Sequence, residues 1–143
     1  MSRNWVEDIH NMQTKYKTRE WVWDNRDDVE KLKKFLEFRI NFLEEELTET
    51  KKAFKEGDPE EIVDGLIDLC VVAIGTLDAY GVNPHEAWDR VLNANMAKEV
   101  GVKESRPNPL GVPDLVKPEG WEAPNHEGNH GLFLKNLFNG RIE

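Results

Sequence analysis

The sequence predicts an all-α helical bundle with a Pro/Gly-rich irregular C-terminal tail, and three observations predict it. Apolar residues recur at three- and four-residue steps through the first two thirds of the chain. The same helix-start grammar appears twice, in Asp58-Pro59-Glu60-Glu61 and in Asn83-Pro84-His85-Glu86. Five of the seven prolines and five of the ten glycines lie beyond Gly101, where regular helix cannot continue. The 143 residues suit a single domain, with a helical core over about 26–100 and a tail over about 101–143.

A first helix is expected from about Trp5 to Tyr16. A stronger one follows from about Arg26 to Lys55, with Val29, Leu32, Leu36, Ile40, Leu43, Leu47 and Phe54 forming one apolar stripe. The third opens with Asp58 as N-cap, Pro59 in the first turn and Glu61 in the reciprocal capping-box position, and stops at Gly81. The fourth is expected to end at Gly101. Short connections make these helices antiparallel neighbours. From Leu66 to Leu77 the third helix is apolar nearly all round, so the bundle core is expected to be completed by oligomerisation. Trp5, Trp21, Trp23 and Trp88 read as core or interface residues.

Charge narrows the function. Charged residues make up 33% of the chain and the net charge is −9, which argues against a nucleic-acid partner. An anionic small substrate needs a cation between it and such a protein. Cys70 is the single cysteine, which leaves no disulfide framework and no cysteine zinc site, and it reads as a small buried hydrophobe. The longest apolar run is too short to span a bilayer and contains Asp68, and nothing at the N-terminus reads as a signal peptide. A cytoplasmic protein is expected.

Two groups of acids stand out. Glu46 and Glu49 share a helical strip with Arg39, Phe42 and Ala53, whereas Glu44 and Glu45 point further away. A solvated acidic face, partnered by Lys51, Lys52 and Lys55, is the plain alternative. Glu61, Asp64 and Asp68 stand at i, i+3 and i+7, on one face of the most hydrophobic helix. Aspartate is a poor helix-interior residue, and a buried carboxylate costs several kcal/mol unless paired or metal-bound. A buried Asp–Arg or Asp–Lys pair is the alternative there. Hard divalent cations take oxygen ligands, and no Glu-x-x-His pair occurs on the two helices that carry these acids, which disfavours redox iron, so Mg²⁺ is expected, with Mn²⁺ as a substitute.

Glu45-Glu46-Leu47-Thr48-Glu49 followed by Glu61-Ile62-Val63-Asp64 resembles the Glu-Glu-x-x-Glu … Glu-x-x-Asp pattern of the MazG-like, all-α NTP pyrophosphohydrolases. That resemblance implies Glu46, Glu49, Glu61 and Asp64 as metal ligands and a dimer or tetramer of helical subunits. Asp64-x-x-x-Asp68, an apolar stretch and Gly75-Thr76 are similar to a phage-type, phosphoribosyl-ATP pyrophosphohydrolase-like branch, in which Asp68 serves too and the part of Glu61 is in doubt. Asn95-Met96-Ala97-Lys98 matches that branch's Asn-Met-x-Lys, with Asn95 and Lys98 set to hold substrate phosphate from the fourth helix. The implied reaction is hydrolysis of a (d)NTP to (d)NMP and pyrophosphate, with Glu46 or Glu49 as base, in the cytoplasm (a host's, if the source is viral). Phosphoribosyl-ATP is the alternative substrate, and a non-catalytic helical interaction module the alternative class. In the tail, Arg106, Asp114, Lys117, Trp121 and His126 read either as a clamp over nucleotide or as a strap that packs Trp121 on the bundle.

Overall fold

The computed structural model describes residues 4–105, 110, 113–134 and 137–138. Five helices and one short hairpin occur in the order α1 (Trp5–Tyr16), α2 (Thr18–Asp24), α3 (Val29–Glu56), α4 (Pro59–Ala79), α5 (Pro84–Met96), β1 (Glu99–Gly101) and β2 (Asp114–Val116). The chain sorts into two compact units, Met1–Pro84 with His130–Glu143, and His85–Asn129.

Local chemistry sets the helix ends. The Asn4, Asp28 and Asp58 carboxamide or carboxylates accept the backbone N–H three residues on, supplying a partner for one otherwise orphaned donor each. Gly57 closes α3 at φ +68°, a conformation that glycine adopts without strain. The same turn sends the Asp58 N–H to Ala53 O at 2.9 Å. The Glu61 carboxylate is therefore not required as the reciprocal half of a capping box, which removes its plain structural duty.

In the first unit α3 and α4 form a long antiparallel pair, with register legible in its contacts. Thr50 faces Gly65, where a methyl group would overlap Thr50 Oγ1, and Arg39 Nε donates to Thr76 Oγ1 at 3.0 Å. The pair has a covered end and a bare end. Val22 of α2, Leu32 of α3, Ala79 of α4, the α4 C-cap Tyr80 and Leu137 make the buried core, flanked by Val29, Phe35, Leu36, Leu132 and Phe133. The chain after the hairpin thus returns to roof one end, where Phe133 stacks on Tyr80 at 4.4 Å and the Leu132 N–H donates to Tyr80 O. At the other end Phe54 is exposed, as are Val63, Leu66 and Ile67 at 64%, 52% and 44%. Cys70 is exposed as well, against the expectation of burial, because the same face of α4 has no cover within the protomer. Trp5, Trp21, Trp23 and Trp88 are likewise exposed and do not join the core.

Two further differences appear, and one open alternative is resolved. The short helix α2 was not anticipated, since seven residues carry too little periodicity to announce it. The fourth helix stops at Met96 rather than Gly101, because Glu99–Gly101 pairs antiparallel with Asp114–Val116. β-branched Val100 and Val116 suit that ladder better than a helix. In the second unit, Trp121 Nε1 donates to Ala94 O of α5 at 2.7 Å, so part of the tail is a strap on that helix. Arg106 lies outside the described residues.

Candidate metal and phosphate sites

Glu46 sits on the face of α3 turned to α4. The spacing of Leu32, Leu36, Arg39, Leu43, Glu46, Thr50 and Ala53 along that face alternates three and four residues, and these are its half-buried or buried positions. Between the Arg39–Thr76 and Thr50–Gly65 contacts, the register brings Glu46 level with Asp68 and Leu69 on α4. Asp68 is half-buried at this seam; Asp64, one turn earlier and rotated toward its edge, is exposed. The expected burial of both acids is thus not met in the protomer: Asp64 faces solvent because Val63 and Ile67 beside it are also uncovered.

Burial and crowding act together on one of these carboxylates, Glu46. The Glu46 carboxyl is held above its ordinary value by desolvation first, then by the like charges of Asp68, Glu49, Glu45 and Asp64. Four acids from two helices therefore act on one carboxyl. Glu61 is not among them; it is exposed at the first turn of α4, nearer the loop. Among the described residues no three acidic, histidine or cysteine side chains converge tightly enough to grip an ion unaided. The donor set is nonetheless all oxygen, and a divalent cation is what relieves like-charge crowding of this kind, so Glu46, Glu49, Asp64 and Asp68 fit a hard cation that also keeps water and phosphate ligands.

The polar groups around this strip do structural work that the sequence did not announce. Arg39 reaches from α3 to α4, its Nη2 donating to Val72 O at 3.1 Å, and burial lowers its pKa from the ordinary guanidinium value. The buried acid-to-base pairing considered for Asp64 and Asp68 is found ten residues on, at Asp78. Its Oδ1 meets His10 Nδ1 at 2.7 Å, and its Oδ2 lies 3.0 Å from Arg19 Nε, close enough for an ionic contact but not aligned as a hydrogen bond. An aspartate preceding Ala-Tyr-Gly was the only signal available, and nothing local names its partners on α1 and α2.

In the second unit Asn95 is half-buried on α5, and its C=O accepts the Lys98 N–H at 3.1 Å. Lys98 lies past the helix end, not one turn further along it. Its Nζ stands 5.1 Å from the Trp121 ring centroid, as does Lys117 Nζ.

No helix among the described residues is long and apolar enough to cross a membrane. Comparison with curated proteins and with solved structures gives no match. The family model of phosphoribosyl-ATP pyrophosphohydrolase matches residues 11–95, well over half of the chain and all of the α3–α4 pair that carries the acids. The chain belongs to the phosphoribosyl-ATP pyrophosphohydrolase family, within the MazG-like all-α NTP pyrophosphohydrolase superfamily, and is a pyrophosphohydrolase acting on phosphoric anhydrides.

Proposed function

We propose that this pyrophosphohydrolase is Mg²⁺-dependent and cleaves a nucleoside triphosphate, with a dNTP favoured, to the monophosphate and pyrophosphate, controlling a cytoplasmic nucleotide pool. The observation that supports it is the crowding of Glu46 by Asp68 and Asp64 across the α3–α4 seam and by Glu49 and Glu45 on its own helix. A protein of net charge −9 would repel a triphosphate from such a strip without a cation. When bound, Mg²⁺ supplies positive charge that draws phosphate oxygens and acidifies water.

The chain's own groups carry the rest. Glu46, Glu49, Asp64 and Asp68 would hold the cation, with Glu61 as a further candidate from the family pattern. Glu46 and Glu49 are the two candidate bases: one takes the proton of the attacking water as its oxygen bonds to the α-phosphorus, and the bond to the bridging oxygen breaks. Pyrophosphate leaves with that electron pair. Asn95 and Lys98, both of the second unit, are the phosphate contacts that the Asn-Met-x-Lys resemblance proposes. Phosphoribosyl-ATP remains a second substrate reading, favoured by the description of the matching family and requiring the same bond cleavage.

The test is a panel of dNTPs, NTPs and phosphoribosyl-ATP assayed for phosphate release with inorganic pyrophosphatase added. Mg²⁺-dependent release from at least one dNTP is expected, and exclusive cleavage of phosphoribosyl-ATP would overturn the dNTP reading. Should no compound be cleaved at any Mg²⁺ or Mn²⁺ concentration, a non-catalytic role for this chain would replace it.

The bare end of the pair supports a homodimer or homotetramer. Val63, Leu66, Ile67 and Phe54 expose contiguous apolar surface beside the acids, and monomers rarely leave such patches open. Leu66→Glu is expected to shift the protein to monomer in light scattering and to reduce activity with it. An unchanged mass for that variant would remove this face from the interface.

A further inference from the structure

We propose that Lys117 is a second phosphate-binding lysine, set opposite Lys98 by the β1–β2 hairpin so that the two ammonium groups form one site for a polyphosphate anion. In its assignment of Lys98 to phosphate this rests on the function proposed above. The hairpin register is the first observation. Glu99 pairs with Val116, Val100 with Leu115 and Gly101 with Asp114, so one step beyond the ladder Lys98 stands opposite Lys117. Lys98 and Lys117 thus flank the same end of the ladder, next to the Glu99–Val116 pair. Like charges in that relation are unfavourable.

The second observation is independent of the register. Both Nζ atoms lie 5.1 Å from the centroid of one indole, Trp121, which the Ala94 carbonyl fixes through Nε1. Trp121 is half-buried, and both ammonium groups border its ring. Cation–π attraction contributes to holding both ammonium groups there, but it leaves two positive charges together. The chain has 28 acidic residues to neutralise them, yet among the described residues no carboxylate lies within salt-bridge distance of either lysine. Two ammonium groups that border one ring, with no carboxylate in reach, are complementary to a multivalent anion. Two or three linked phosphate groups carry the charge and the spread of oxygen acceptors to engage both lysines. Arg90 is not a rival for this role, because its donors go to Glu86, Asn125 O and Glu127 O.

The experiment is calorimetric titration of the full chain with inorganic triphosphate in EDTA. With metal removed, the acids of α3 and α4 repel the anion, and binding reports on the lysines. Lys117→Ala and Lys98→Ala are each expected to weaken binding roughly tenfold, the size of one lost charge-assisted hydrogen bond. Lys117→Arg should stay within about threefold of the parent, and Lys34→Ala, on an exposed part of α3, should not change it. The proposal is overturned if the parent does not bind triphosphate in EDTA, if Lys117→Ala binds as the parent does, or if Lys117→Arg is as weak as Lys117→Ala. Failure of the hydrolase reading looks different: no nucleotide is cleaved with Mg²⁺ while triphosphate binding and its dependence on Lys117 persist.

Discussion

Asp68→Asn is expected to lower kcat about a thousandfold while the metal-free protein stays folded with an equal or higher thermal midpoint. The two halves of that expectation have one cause. Asp68 is the largest single charge acting on the Glu46 carboxyl, across a seam where Asp68 is half-buried. Asparagine keeps the shape and removes the charge, so the repulsion falls and with it the affinity for a cation. Stability and activity then move in opposite directions, the pattern expected when a protein keeps a locally unfavourable cluster for function. A Mg²⁺ titration followed by thermal unfolding separates the parts. The parent's midpoint should rise with Mg²⁺, since a ligand that binds only the folded state stabilises it, and the Asp68→Asn midpoint should stay flat. Glu61→Gln is the contrasting variant: lying outside the group that acts on Glu46, it should lose less than about tenfold. If Asp68→Asn retains the parent's rate at limiting Mg²⁺, the acids do not hold the metal.

Tyr80→Ala is expected to destabilise the fold by about 3–5 kcal/mol, the usual range for deleting a buried aromatic ring. Tyr80 is fully buried, stacks on Phe133, meets Phe35 edge-on at 6.2 Å, and donates its hydroxyl hydrogen to Leu32 O on the neighbouring helix. It therefore joins α3, α4 and the returning tail at one point. Tyr80→Phe keeps the ring and loses only the hydrogen bond, for about 1 kcal/mol. The two variants can be ranked by urea unfolding. Equal losses would mean that the hydroxyl, not the ring, holds the covered end together.

The same residue gives an alkaline signature. Burial pushes the Tyr80 phenol up to about 12 from an ordinary value of 10.0. Between those values the unfolded chain releases the proton and the folded one retains it, so unfolding is favoured as pH rises. The contribution is intact below pH 10 and is lost progressively towards pH 12. Subtracting the Tyr80→Phe profile removes the background from lysines titrating in the same range, and the difference should slope downward only over that window.

The helices were legible because their signals are local. Asp58-Pro59 and its N-cap bond, the Gly81 stop, and the three-and-four spacing along α3 all operate within a turn or two of chain. Glu46, Glu49, Asp64 and Asp68 were legible for the same reason: helical geometry alone puts each pair on a common strip. Their mutual approach also followed, because a two-residue connection between long helices leaves little choice of neighbour. The strap role of Trp121, by contrast, was one of two equal readings, since its acceptor, Ala94 O, is a backbone atom that no residue type advertises.

Burial was the quantity that sequence misjudged. Cys70 and Asp64 look interior when read from the apolar residues around them, but a residue is buried only if another segment covers it. Within the protomer, Leu132, Phe133 and Leu137 pack about Tyr80 and put that cover at the opposite end of the α3–α4 pair. What the amino-acid order determined unaided was the long helices α1, α3 and α4 and the strips their acids occupy, since both follow from spacing along one backbone. What only tertiary structure decided was which acids act on Glu46, where Asp78 finds His10 and Arg19, and that Lys98 and Lys117 meet over one indole. The first two depend on contacts between segments far apart in the chain, and the last on the hairpin that brings Lys98 to the ring Lys117 already borders, so none has a counterpart in a local pattern.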